Sequence, residues 1–316
     1  MNIILMGVPH HANVGDLAIA YAEEKMIRKL FPNRKLYIMP EEKLDICAKK
    51  VKKYIKNDDI ILLHGGGNIG DTYVVPEKGR REVISAFPNN KIIIFPQTAY
   101  FDNEEKLKIS KKIYNTHKNL IIMAREKKSF DFMKKHFYNA KIYLTPDIVM
   151  TLKEDSNLKR DGVLLMLRQD KEKTLEEKTK KSIIKYVKEN FESYKISDMH
   201  MESKGIQNVP KTIRKQMIKN KLEEFQTSEL VITDRLHGMI FSAITQTPCV
   251  VFSSLTHKII ESYEWLKNLE YIQRCNNIND LEECIKKSLK AKNQTYNNEF
   301  AIKIISDILI KEIKNT

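Results

Sequence analysis

The chain has 316 residues, more than one hydrophobic core of ordinary size accommodates, so two domains of roughly 150 residues are expected. A hydrophobic fraction of 42% and a charged fraction of 30% suit globular domains with a water-facing surface, and no run approaches the ~20 apolar residues of a membrane span. The four cysteines (Cys47, Cys249, Cys275, Cys284) are scattered without a CxxC pair, which excludes a zinc ribbon or disulfide frame and reads as reduced thiols of a cytoplasmic protein.

The net charge of +14 rests on 45 lysines against 10 arginines. It reflects either a lysine-rich composition or an anionic partner: nucleic acid, membrane or acidic substrate. The scarcity of arginine makes one kept at a strand end a candidate for planar, bidentate anion recognition.

Short β-branched runs alternate with amphipathic stretches, the pattern of parallel sheets covered by helices on both faces. Strands are expected near 2–8, 35–39, 59–63, 91–95, 119–124 and 141–145, with helices including 16–30, 104–115 and 127–137. The polar stretch 153–161 reads as a linker. Beyond it come strands near 162–167, 194–199, 229–233, 249–253 and 270–273, separated by helices near 174–191, 210–225, 238–245, 257–267 and 279–290. This sets domains at 1–155 and 156–296. A last helix, 297–316, carries Phe300, Ile304, Ile305, Ile308, Leu309 and Ile313 on one face, to pack back on the first domain or lie on a membrane surface.

In open α/β sheets ligands bind beyond the carboxyl ends of the strands. Those ends carry Gly7 through Asp16, including His10, His11, Asn13 and Gly15; then His64, Gly65, Gly66, Gly67, Asn68 and Asp71; then Gln97 and Thr98; then Arg125 and Glu126; then Asp147. Neither glycine-rich stretch forms GxGxxG and no GxxxxGK[ST] occurs, so a dinucleotide or P-loop site is not supported. The glycines at 65–67 suit a tight turn or a close ligand. Asp16 and Asp71 suit helix caps or sugar contacts. Arg125 at a buried strand end needs an anionic partner, either internal (Glu126 or Asp147) or a bound carboxylate or phosphate. The three histidines His10, His11 and His64 lack a metal-ligand spacing.

In the second half, Asp234, Arg235, Leu236, His237 and Gly238 follow a strand and lead into a helix whose N-terminus favours an anion. Arg235 adds a cationic fork, and His237 exchanges a proton near neutral pH. After the next strand comes Ser253 to Lys258, where Lys258 offers a point charge or a solvated helix start.

Six motifs in this order, NVGDLAI (13–19), LHGGGNIGD (63–71), FPQT (95–98), AREKKSFDF (124–132), TPDIV (145–149) and DRLHGMIFSAITQTPCVVF (234–252), make the chain resemble the polysaccharide pyruvyl transferases along nearly its whole length. The resemblance implies an α/β fold of two Rossmann-like domains with parallel sheets in a glycosyltransferase-B-like arrangement, with a cleft between them. It implies transfer of pyruvate from phosphoenolpyruvate to a sugar, closing a cyclic ketal, with His237, Arg235 and Arg125 as catalytic residues. Arg125, Arg235, Leu236, His237, Gly238 and Lys258 are the implied donor side, although the residues around Lys258 are less typical. The acceptor side falls to Asn13, Gly15, Asp16, His64, Gly65, Gly66, Gly67, Asn68, Asp71 and Gln97. No cofactor is called for beyond phosphoenolpyruvate as co-substrate. The expected partners are phosphoenolpyruvate, a saccharide acceptor that is free or lipid-linked, and peripherally an anionic membrane, but not nucleic acid. Two other readings stay open: a nucleotide-sugar glycosyltransferase of the same shape, and a non-catalytic binder of anionic glycans.

Overall fold

The computed structural model describes residues 1–42, 44–168, 175–201, 209–252 and 258–314. The expected segment 253–257 therefore lies outside the described residues. The chain divides into two compact units, one of Met1–His11, Asp16–Thr151 and Glu299–Thr316, the other of Ala12–Gly15 and Leu152–Asn298. Residues 12–15 thus belong with the second half of the chain, a placement that their position in the sequence does not signal.

The first unit runs β1 (Ile3–Val8), α1 (Val14–Leu30, its first two residues lying in the other unit), β2 (Leu36–Pro40), α2 (Leu44–Val51), β3 (Ile60–Leu63), β4 (Gly66–Gly70), α3 (Val74–Ala86), β5 (Ile92–Tyr100), α4 (Glu104–Thr116), β6 (Leu120–Ala124), α5 (Lys127–His136) and β7 (Lys141–Leu144). All its strands are parallel, in the order β2-β1-β3-β5-β6-β7, with β4 paired to β5. Strands β3 and β6 are buried at every residue, as a sheet covered on both faces requires. The core on one side of the sheet gathers Met6, Ile61, Ile94 and Ile122 with Phe87, Tyr114 and Phe137 from the covering helices and their ends.

One element departs from the expectation of a glycine turn after β3. Gly66–Gly70 forms a strand, because the nine-residue β5 pairs with β3 through Ile92 to Ile94 and with β4 from Gln97 to Tyr100. Glycine has low strand propensity of its own, so the pairing partner makes this strand, not the local sequence.

The second unit runs β8 (Val163–Met166), α6 (Glu177–Asn190), β9 (Tyr194–Ile196), α7 (Lys211–Gln226), β10 (Leu230–Thr233), α8 (Leu236–Ile244), β11 (Cys249–Phe252), α9 (Lys258–Tyr263), β12 (Ile272–Cys275) and α10 (Leu281–Lys290). Its parallel sheet has the order β12-β11-β10-β8-β9. The last helix, α11 (Glu299–Lys314), belongs to the first unit. Its buried Glu312 receives the Lys141 ammonium at 2.7 Å and the Tyr143 hydroxyl at 2.6 Å, while Lys91 donates to the Glu312 carbonyl at 2.6 Å.

Both sheets reverse direction once. In the first the reversal lies between β1 and β3, in the second between β8 and β10. At such a switch the connections leave on opposite sides, and the crevice between the two carboxyl ends is where ligands bind in this class of sheet.

Candidate active site

At the switch of the second unit, the end of β10 is tied to the end of β8. The Thr233 hydroxyl donates to the Met166 carbonyl at 2.9 Å, and the Arg168 amide donates to Asp234 Oδ1 at 2.7 Å. Burial pushes the Asp234 carboxyl above its ordinary range, and its Oδ2 has no hydrogen-bond partner among the described residues. Arg235 occupies the N-cap position of α8 in extended conformation, and no side-chain cap closes that helix start. Its guanidinium is held by Asp198, which follows β9, at 2.7 Å. The helix begins at Leu236, two residues before its expected start, so His237 and Gly238 stand in its first turn. Gly238 is required there because a β-carbon would overlap the Thr233 hydroxyl.

The Asn13–Gly15 segment joins this group. Val14 donates to the Met199 carbonyl and Met201 to the Ala12 carbonyl, each at 2.9 Å, forming an isolated antiparallel bridge between Asn13 and His200. Asn13 Oδ1 caps α1 by accepting from the Gly15 amide at 3.0 Å, and its amide nitrogen meets His200 Nε2 at 3.2 Å. A β-carbon at Gly15 would overlap the imidazole of His237. Asn13 and Gly15, expected on the acceptor side, therefore lie with Arg235 and His237. Lys258 opens α9 and is half-buried. Arg168 and Asp198 were not singled out from sequence, although Arg168 is a rare arginine immediately beyond a strand.

At the switch of the first unit stands His64, directly after β3. Its amide donates to the Met6 carbonyl of β1 at 3.0 Å, and its carbonyl accepts from Gln97 at 2.9 Å. Its Nδ1 lies 2.8 Å from Glu23 of α1, whose other oxygen accepts from the Gly65 amide at 2.8 Å. Glu23 is 0% exposed and His64 7%. Asn68 is bound on both sides: its amide donates to Gln97 Oε1 at 3.1 Å, and its side-chain oxygen receives Gln97 and Arg80. Arg80 is in turn paired with buried Glu77 at 2.6 Å. A cavity of about 20 Å³ is lined by His64, Asn68, Arg80 and Glu41 together with Gly7, Leu44 and Val75. That is room for about one water.

The other expected residues of this unit are placed differently. Arg125 is 2% exposed, and its guanidinium bonds Asp147 and the Thr98 hydroxyl, each at 2.8 Å. This is the internal arrangement that the sequence left open beside a bound anion. Glu126 meets the Thr98 hydroxyl at 3.2 Å and the Ser129 hydroxyl. Asp16 lies in the first turn of α1, where a carboxylate complements the helix dipole, 3.8 Å from His11. Asp71 accepts from the amides of Asp102 and Asn103 at 3.0 and 2.6 Å, so it anchors the turn into α4. Gly66 and Gly67 are strand residues of β4. Glu23, Arg80 and Glu41 escaped the sequence reading. The one sequence signal for Glu23 is a carboxylate seven positions after Asp16, on the helix that also buries Ala20, Ala22, Met26 and Ile27.

A family model described as polysaccharide pyruvyl transferase matches residues 13–256, a range that includes His64 and the run Asp234–Gly238. The chain belongs to the polysaccharide pyruvyl transferase family. It is 38% identical over 298 residues to General stress protein 30 of Bacillus subtilis, covering 92% of this chain and 86% of that one. To Pyruvyl transferase 1 of Schizosaccharomyces pombe it is 27% identical over 281 residues, covering 84% and 69%. Among solved structures it resembles UDP-GlcNAc 2-epimerase of Methanocaldococcus jannaschii, with a TM-score of 0.59 at 14% identity over the whole of both chains. That likeness shows the fold: two Rossmann-like units with parallel sheets, of the glycosyltransferase-B-like class. The expected fold class and family are thus both found.

For a pyruvyl transferase of this family, the contact between Gly15 and His237 has a measurable consequence. A Gly15→Ala variant has to push the imidazole aside, an overpacking cost of about 1–3 kcal/mol. Turnover is expected to fall about 10- to 100-fold while circular dichroism keeps the wild-type spectrum. Wild-type turnover in that variant detaches Gly15 from the placement of His237.

Proposed function

We propose that this chain transfers pyruvate from phosphoenolpyruvate to a saccharide of the cell surface or its precursor, closing a cyclic pyruvate ketal. The observation that carries the reading is the switch point of the second unit, where Arg235 occupies the N-cap position of α8 without a side-chain cap and His237 stands in the first turn of that helix. A guanidinium beside uncapped helix amides is a compact receptor for a carboxylate or phosphate, and phosphoenolpyruvate carries both. Neither a base platform nor a ribose carboxylate is needed for such a donor. Donor binding is assigned to Arg235, Leu236, His237, Gly238 and Lys258, and acceptor handling to the rim of the first unit around His64, Asn68 and Gln97.

The chemistry follows from the donor. One acceptor hydroxyl adds to C2 of the enol phosphate, its oxygen forming the new C–O bond as its proton leaves to a base. The double-bond pair takes a proton from His237 at the methylene carbon, which becomes methyl. The C2–O bond to phosphorus then breaks, and phosphate departs with the electron pair. A neighbouring hydroxyl attacks C2 and closes the ketal, and its proton returns to His237. We place the reaction in the cytoplasm. The exposed Lys49, Lys50, Lys52, Lys53 and Lys56, with Tyr54 among them, suit peripheral contact with anionic headgroups at the inner face of the membrane. Among the described residues no helix is long and apolar enough to cross a membrane.

The test is thermal. Phosphoenolpyruvate at a hundredfold excess over its Kd is expected to stabilise the protein by about 2.7 kcal/mol. Arg235→Ala removes a charge-assisted contact, weakening donor affinity about 10- to 100-fold, and the partner that it leaves behind, Asp198, reaches solvent and tolerates the loss. Protection by a nucleotide sugar without protection by phosphoenolpyruvate overturns the proposal in favour of glycosyl transfer.

A further inference from the structure

We propose that His64 is the general base that takes the proton of the attacking acceptor hydroxyl, and that Glu23 is its positioning residue. The inference rests on the pyruvyl-transfer reading, which requires such a base and does not name it.

A fully buried glutamate is costly unless its charge is matched, so its presence inside α1 calls for a reason. Both of its oxygens have one: Oε1 accepts from the Gly65 amide and Oε2 meets His64 Nδ1, each at 2.8 Å. The imidazole is further fixed through its own backbone, by Met6 on one side and Gln97 on the other. With Nδ1 held as the donor to Glu23, Nε2 carries the lone pair. Nε2 has no hydrogen-bond partner among the described residues, and His64 lines the small cavity at the switch point, together with Asn68 and Arg80. A carboxylate that orients one imidazole nitrogen and leaves the other to the substrate is the arrangement by which histidine bases are held in a single tautomer and made more basic.

The electrostatics agree. Burial by itself pushes the imidazole down, but Glu23, Asp16 and Glu41 together outweigh it and hold His64 above its ordinary value. The charged groups around the pair are Glu23 and Asp16 from α1, Glu41 after β2, His11 in the β1–α1 loop, Arg80 from α3, and Asp147, which acts on Glu23. In the step proposed, Nε2 takes the hydroxyl proton as the hydroxyl oxygen bonds C2 of the donor. The imidazolium so formed is stabilised by Glu23 and releases its proton after phosphate leaves.

The experiment follows phosphate release from phosphoenolpyruvate, first by wild type over a panel of lipid-linked saccharides, then on the acceptor found, as a function of pH. For wild type, kcat is expected to rise with pH as His64 loses its proton. His64→Gln lowers kcat about 10²- to 10⁴-fold and abolishes that limb, with thermal protection by phosphoenolpyruvate retained. Glu23→Gln keeps the shape of the side chain but removes the charge that holds the imidazole up, so the limb moves to lower pH and kcat falls. A Glu23→Gln variant with lower stability or lower kcat but an unmoved limb overturns the dyad, as does a His64→Gln variant that keeps wild-type kcat. Absence of phosphate release by wild type on every acceptor overturns the pyruvyl-transfer reading itself, an outcome distinct from either variant result.

Discussion

Exchange of His237 for asparagine is expected to lower turnover by about 10²- to 10⁴-fold, the span lost with a general acid. Donor affinity is expected to stay within about tenfold, equivalent to ~1.4 kcal/mol. On the proposed reading the two expectations separate because binding and proton transfer draw on different groups. The anion is offered the Arg235 guanidinium and the backbone amides at the start of α8, which a side-chain exchange at His237 leaves in place. Asparagine is also tolerated at a helix start and is smaller than the imidazole that rests over Gly15, so the local packing loosens without a clash. What asparagine cannot supply is a proton near neutral pH. The measurement is paired: donor affinity by thermal protection, and rate of ketal formation under saturating donor. Unchanged turnover removes His237 from catalysis. Loss of donor affinity alone makes it a binding residue and moves the proton source to Lys258.

The alternation of β-branched and amphipathic runs placed the strands within one or two residues of most observed elements, because fully buried parallel strands must be apolar along their whole length. Ile60–Leu63 and Cys249–Phe252 are legible for that reason. Strand β4 was not, since Gly66, Gly67 and Gly70 give it no apolar pattern and its pairing is dictated by β5, some thirty residues later. The same limit governs the sites. DRLHG was legible because its chemistry is contiguous: carboxylate, guanidinium and imidazole follow one another into α8. Glu23 lies 41 positions from His64, on a helix otherwise read for its apolar face. Asn13 and Gly15 were legible as a motif but not in their allegiance, which is fixed by backbone bonds to Met199 and Met201 that no local pattern encodes.

Arg125 gives the second large effect, this time in stability. Arg125→Met is expected to destabilise the first unit by about 3–5 kcal/mol, the range for breaking one side of a buried ion pair. The methionine fills most of the volume, but it leaves Asp147, 1% exposed, without the guanidinium that sits at 2.8 Å. Asp147 cannot turn away without loss, because its other oxygen accepts from the Val149 amide at 2.9 Å and so holds the short helical turn at Ile148–Thr151. The Thr98 hydroxyl loses its donor from Arg125 Nε at the same time. Removing both charges together, as Arg125→Met with Asp147→Leu, takes away the buried carboxylate that has lost its guanidinium, so the double variant is expected to recover part of the loss, and denaturant unfolding of the two single variants and the double measures the coupling. An additive cycle shows that the pair is not what stabilises this corner. The same proteins test the donor role that the family resemblance implies for Arg125. If the guanidinium serves only Asp147, phosphoenolpyruvate protects Arg125→Met as much as wild type at a temperature where both are folded. If it also clamps the donor, protection falls in Arg125→Met and does not return in the double variant when stability does.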